Sequence, residues 1–257
     1  MAIYKNSPPD TFNFLQATGI TDMTQIRAVS TLVTDLKYAG IWGKMKAIYP
    51  FVGGTATTHK FNLKDPRDAD AAYRLFFSGG GTHSANGYQL NGTNAYANTY
   101  LTSNLVQTTN HLSFYSRTQT VGTQVEMGIW DASNNTFNQL RSAANYLVGN
   151  ISNGLINFTT TNDARGFWIG TKTATNNRKG YLNGVVQATS TTNDASNNPP
   201  GNIYIGARNQ INTGTPTQFY STKECAFASI GDGLTDTESL AYYTAVQKFQ
   251  TSLGRQV

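Results

Sequence analysis

The chain has 257 residues with a formal charge of +5 at pH 7, and only 13% of its side chains are charged, about half the average for a soluble domain. Its polarity comes from Thr, Asn, Ser, Gln and Gly, residues that favour strands joined by turns. The positive charges are scattered, with Arg178-Lys179 as the densest pair, so the stripe that a nucleic acid needs is missing and no nucleic-acid partner is expected. A single cysteine, Cys225, excludes an intrachain disulfide and a cysteine metal cluster. It sits in the alternating run "ECAFASIG", where it reads as a small buried hydrophobe. The first residues, "MAIYKNSPPD", lack the apolar core of a signal peptide, and no run reaches the ~18 apolar residues of a membrane span. Synthesis in a cytoplasm without membrane insertion is the expectation.

In chain order, Pro8-Pro9 reads as a break. A helix is predicted over about 23–39, because Ile26, Val29, Leu32, Val33 and Leu36 recur at helical spacing. Asp22 caps it, Gln25 completes a capping box and Gly40 ends it. The following block, with Pro50, Gly53-Gly54 and Pro66, reads as an irregular connection that packs on something larger.

From Gly87 the hydrophobic period changes to two. "HLSFYSR", "QVEMGIW", "NYLVGNI", "GLINFTT", "GFWIGTK", "KGYLNGVVQA", "NIYIGAR" and "CAFASIG" follow one another, most of them separated by turn residues. Many short strands without intervening helical periods predict an antiparallel sandwich or barrel. Asn183-Gly184 in "YLNGVV" predicts a hairpin tip with a type I′ turn. A second amphipathic helix closes the chain, with Thr235 and Glu238 as its capping box and Tyr242, Val246, Phe249 and Leu253 on one face.

These segments carry a resemblance. "YQLNGTNAYANT" (88–99), "KGYLNGVVQATST" (179–191), "NIYIGARN" (202–209) and "AFASIGDGLTDTESLAYYTAV" (226–246) resemble successive strands of the laminin-G-like, concanavalin A-like lectin/glucanase sandwich. The resemblance implies a mainly β, antiparallel jelly roll over 75–257 with a C-terminal helix, preceded by a helical and irregular attachment segment over 1–74. The block from Leu32 to Leu75 also resembles a segment that precedes such sandwiches in bacteriophage virion and tail-associated proteins. That implies a virion structural protein made in a bacterial host cytoplasm, a homo-oligomer in contact with other virion proteins and presenting its loops to host surface glycans. The alternatives are a free carbohydrate-binding lectin module and, if acids far apart in sequence converge, a polysaccharide-degrading enzyme.

Catalysis in the glucanase branch needs carboxylates at alternate positions of one strand, about 5–5.5 Å apart in a retaining enzyme. In "VEMGIWD" Glu126 is followed by Gly128 and Trp130 where further acids would stand, and Asp131 falls on the opposite face. The pair is absent. Glu126 therefore reads as a solvent-facing or hydrogen-bonded strand residue whose replacement by Gln should cost little, and no catalytic residue is assigned. His59, His83 and His111 lack metal-site spacing, and "FSGGGTHS" lacks the lysine of a phosphate loop. No metal or other cofactor is expected. Calcium ligands could come only from two oxygen-rich stretches, Asp65, Asp68 and Asp70, or "DASNN" at 131–135.

Sugar binding needs aromatic platforms and amide or carboxylate partners rather than a catalytic pair. With Val125, Met127 and Ile129 inward, Trp130 faces out beside "DASNN". With Phe167 and Ile169 inward, Trp168 faces out as well. Trp130, Asp131, Asn134 and Trp168 are thus the candidate carbohydrate site, unless the two helices cover this face and bury both tryptophans.

Overall fold

The computed structural model describes residues 8–106, 108–119, 122–140, 163–193, 197–214 and 217–257. Among these residues four helices, α1 (Pro9–Thr18), α2 (Met23–Tyr38), α3 (Ala56–His59) and α4 (Asp236–Ser252), accompany fifteen strands. In chain order these are β1 (Met45–Tyr49), β2 (Phe76–Ser78), β3 (Thr82–Ser84), β4 (Gly87–Gln89), β5 (Tyr96–Thr102), β6 (Asn110–Ser116), β7 (Met127–Asp131) and β8 (Thr136–Leu140). Then come β9 (Gly166–Ala174), β10 (Asn177–Leu182), β11 (Val185–Ser190), β12 (Asn202–Ile205), β13 (Arg208–Ile211), β14 (Thr217–Gln218) and β15 (Glu224–Gly231).

The strands form two sheets. The first runs β11-β10-β9-β6-β15-β4-β3, with β1 also on β15; the second runs β14-β13-β7-β12-β5-β2, with β8 also on β7. This is the mainly β sandwich that the sequence pattern predicts, of the jelly-roll type that the resemblance implies. All but one of the strand pairings are antiparallel, the exception being β13 on β7. The tip of the β10–β11 hairpin is Asn183-Gly184, at φ 51° and 76°, the two positive values of a type I′ turn.

Period-two alternation sends side chains into two separate cores. Leu112, Phe114, Trp168, Ala228 and Ile230 of the first sheet meet Met127, Ile129, Ile203 and Ile205 of the second. On the other face of the first sheet, Tyr115, Phe167, Ile169, Tyr181 and Phe227 pack under α2 and α4, against Val29, Val33, Tyr242, Val246 and Phe249. The order is helices, sheet, sheet. β6 is consequently buried at every position.

The helix signals act as the sequence suggests, with one substitution. Asp22 accepts from the Gln25 N–H at 2.8 Å, but the Gln25 side chain accepts from the Gly53 N–H instead of closing the capping box. Thr235 and Glu238 form a complete box. α1 was not expected: Pro9 starts a helix rather than breaking the chain, and Gly19 at φ 68° ends it. The leading block, read as an irregular connection, contributes β1, which pairs with β15, and its helices share a core with the sandwich. Residue 74 therefore separates no two cores. The C-terminus is pinned from the far end: Arg255, 1% exposed, donates to the carbonyls of Pro50, Phe51 and Ala226. The predicted segments "NYLVGNI" and "GLINFTT" lie outside the described residues.

Candidate functional site

The outer face of the second sheet has no helix over it among the described residues. It is where the sandwich leaves aromatic side chains half-buried. On β7, Met127 and Ile129 point into the core, so Gly128 and Trp130 point out. β8 places Phe137 opposite Trp130 and Gln139 opposite Gly128. On the other flank, β13 sets Arg208 against Gly128. Trp130 and Phe137 stack at 5.7 Å, 18° from parallel. The Arg208 guanidinium lies 4.9 Å from the Trp130 ring and 4.2 Å from that of Phe219, within the range of cation–π attraction. Further along, Tyr96 of β5 stacks on Tyr204 of β12 at 4.6 Å.

The four residues predicted to form the site separate. Trp130 is half-buried on this face, its indole Nε1–H reaching Asn135 Oδ1 at 3.3 Å. Asn134 is exposed in the β7–β8 turn beside it. Asp131 is in the same turn but 1% exposed, and its carboxylate already accepts from the Ser133 N–H, the Ser133 hydroxyl and the amides of Asn134 and Asn212. Burial pushes its carboxyl up, but the hydrogen bonds from Asn212, Asn134 and Ser133 outweigh that and bring it down to about 2. Asp131 is buried, and its hydrogen bonds hold the loop.

Trp168 departs from the expectation altogether. It is 2% exposed, lies between the two sheets and donates its indole N–H to the Ala164 carbonyl at 2.9 Å. Phe167 and Ile169 do face a core, but it is the one under the helices. Their neighbour therefore points into the other core and not into solvent. The helices do not cover Trp130, and it is the second sheet that buries Trp168.

Glu126 and the acids of the 65–70 block are each engaged with a cation. Glu126 is not solvent-facing: it is 1% exposed and pairs with Lys223, 0% exposed, at 3.1 Å, just before β7 and β15 respectively. Gln124 Oε1 takes a second bond from the Lys223 ammonium at 3.0 Å. The pair ties the two sheets together. Asp65 bonds Arg67, Asp70 bonds Arg74, and Asp68 bonds Lys60 and Arg74, so the acidic block forms ion pairs instead of converging on a cation. No group of three or more His, Cys, Asp or Glu side chains with metal-site geometry occurs among the described residues.

No family model matches the chain, and no curated protein matches it. Solved structures do. A botulinum neurotoxin type C structure, from work on cell entry through two ganglioside molecules, aligns at a TM-score of 0.58 with 12% identity over 82% of this chain and 53% of that one. The binding domain of botulinum neurotoxin DC in complex with rat synaptotagmin II aligns at 0.54, with 13% identity over 80% and 53%. Domain 4 of a family 43 arabinanase from Geobacillus stearothermophilus, in complex with arabinotriose, aligns at 0.47 with 16% identity over 77% and 98%. The chain spans about half the length of the toxin chains it matches. At these identities the toxin alignments show a shared fold.

Sequence reasoning missed two features. Arg208 and Gln139 flank Gly128 only through strand pairing, and nothing local predicts which strands neighbour β7. His59 and His83, 24 residues apart, meet with their Nδ1 atoms 2.9 Å apart. Burial, with the nearby His83 and Arg255 adding to it, pushes His59 down to about 3.

Proposed function

We propose that this chain is a non-enzymatic binding module that presents the outer face of its second sheet to glycans on a host surface, as part of a bacteriophage virion. The observation that carries the binding reading is the half-buried Trp130, stacked with Phe137 and Arg208 on a face that no described helix covers. Rigid aromatic rings held on strands match the apolar faces of sugars, and exposed amides such as Asn134 match their hydroxyls. The fold shared with toxin binding domains supports a binding role, and the enclosure of Glu126 by Lys223 supports the absence of glycosidase chemistry. The virion setting rests on the resemblance of the leading block alone. Its alternative is a free lectin module with the same site.

A glycan array with the intact chain, followed by titration of Trp130→Ala, tests the binding reading. The expected result is a bound glycan whose affinity falls by about 1–3 kcal/mol in the variant. A blank array, or an unchanged affinity, contradicts it. Copurification with assembled particles at fixed stoichiometry tests the setting.

A further inference from the structure

We infer that the ligand of the Trp130 face is a neutral linear glycan chain, which crosses the second sheet from the Trp130 stack on β7 to a tyrosine cluster on β12 and β5. This rests on the glycan-binding reading and goes beyond it by naming the class of glycan and a second group of residues that meets it.

The inference starts from the strand order. β7, β12, β5 and β2 are successive neighbours in the second sheet, and each turns an aromatic side chain outward. On β12, Ile203 and Ile205 enter the core, so Tyr204 faces out; on β5, Ala97 enters it, so Tyr96 faces out. On β2, Phe77 packs inward and Phe76 is 53% exposed. Tyr204 pairs with Gly128, two residues before Trp130. The two rings therefore stand at diagonal positions of adjacent antiparallel strands, about 7–8 Å apart at their Cα atoms. Tyr204 also pairs with Asn98, two residues after Tyr96, so the line continues obliquely onto β5. There Tyr96 stacks on Tyr204 with 14° between the planes, and Tyr220 approaches Tyr96 at 6.5 Å. From β7 to β5 the line crosses two strand spacings, about 10 Å, and Phe76 extends it by one more. A lone sugar ring covers one of these aromatic groups; a chain meets both.

The residues around the cluster set the ligand's charge. Ser78, Asn98, Tyr100, Thr102 and Asn202, at the neighbouring outward positions of the same strands, are all uncharged. Rings, amides and hydroxyls complement a neutral chain, whose residues combine apolar faces with hydroxyl groups. The rings are also fixed before a ligand arrives, since stacking holds Tyr96 and Tyr204 together and little side-chain freedom is left to lose on binding. Burial, and after it the neighbouring Tyr96, Tyr100 and Tyr220, push the Tyr204 hydroxyl's pKa up, as expected of a close cluster. Tyr100 keeps its place in that cluster at φ 53°, a left-handed backbone that aromatic residues seldom adopt. Strain of this kind collects at ligand sites.

The test uses the intact chain and neutral oligosaccharides of one to six residues, in the cello-, xylo-, manno- and malto- series and in that of any other neutral glycan bound on the array. In calorimetric titration the affinity of at least one series should rise about tenfold or more from disaccharide to hexasaccharide, because a chain that holds one aromatic group presents its far end to the other at high effective concentration. That affinity should change little with salt. Tyr96→Ala and Trp130→Ala should each return the hexasaccharide to about the affinity of the disaccharide. Phe76 is largely exposed, so Phe76→Ala keeps the fold and should weaken the hexasaccharide while leaving the disaccharide unaffected, a readout that stands even where Tyr96→Ala fails to fold. Affinity independent of length, or a hexasaccharide bound equally by the parent and by the folded Tyr96→Ala and Phe76→Ala chains, would overturn the inference and leave glycan binding standing. So would an array on which only acidic glycans or single sugars bind. Binding of no series, together with a blank array, would remove the glycan reading itself.

Discussion

Acidification should loosen this fold well before its carboxylates titrate, because two of its three histidines are buried neutral. His59 is 1% exposed and held near a pKa of about 3 by burial and by its neighbours His83 and Arg255. His111 is 0% exposed and held at about 4 by burial, against the opposing pull of its bond to the Asp232 carbonyl; its other ring nitrogen contacts Ser229. A histidine lowered on folding binds its proton first in the unfolded chain, near the unperturbed value of about 6.5. Stability is therefore full above that value and falls as pH drops through it. Between pH 7 and 5 each of the two loses about 1.4 kcal/mol per pH unit below about 6.5, hence about 2 kcal/mol each and about 4 kcal/mol together. His83, also lowered by burial, acts in the same direction. Asp131, held at about 2, releases its contribution only below the ordinary carboxylate range and does not contribute in this window. Urea unfolding at pH 7, 6 and 5 measures the slope. A stability unchanged across that range would refute the neutral buried pair and the burial of His111.

Four substitutions probe the scaffold. Glu126→Gln should destabilise by about 3–5 kcal/mol, because it strands the fully buried Lys223 cation; this reverses the sequence-based expectation of a nearly neutral change, and denaturant unfolding checks it. Trp168→Ala should cost about 3–5 kcal/mol of stability, whereas Trp130→Ala should cost much less, a contrast that thermal unfolding of the two variants reads directly. Gly184→Val should cost about 2 kcal/mol or more, since φ 76° strains a β-branched residue and its Cβ would come within 2.9 Å of Tyr243 Cδ1. An unchanged melting temperature would contradict the hairpin geometry.

Much of the fold was legible because it is written locally. Asp22, Thr235 and Glu238 announce helix starts, Asn183-Gly184 announces a tip, and period two announces strands. Period two says which residues share a face, but not what that face meets. On β7 the answer was easy, since the face opposite Met127 and Ile129 carries Gly128 and Trp130. On β9 both faces are apolar, so Phe167, Trp168 and Ile169 could be sorted only by knowing that helices cover one side and a sheet the other. Asp131 stands beside Trp130 in the sequence, which points to a ligand contact, whereas its donor Asn212 comes from a loop 81 residues away and is not legible there. The Glu126–Lys223 pair, the His59–His83 contact and the Gln139–Gly128–Arg208 row depend likewise on which strands become neighbours.

On the proposed reading Trp130 meets a glycan and the chain's other tryptophans do not. Each of the three tryptophans carries one indole N–H, so a ¹⁵N-labelled chain should give three resolvable indole signals. On titration with a glycan that binds, the Trp130 signal should shift, and those of Trp42 and of Trp168, sealed between the sheets and bonded to Ala164, should stay in place. A saturating glycan that leaves the Trp130 signal unmoved would contradict a glycan site on this face.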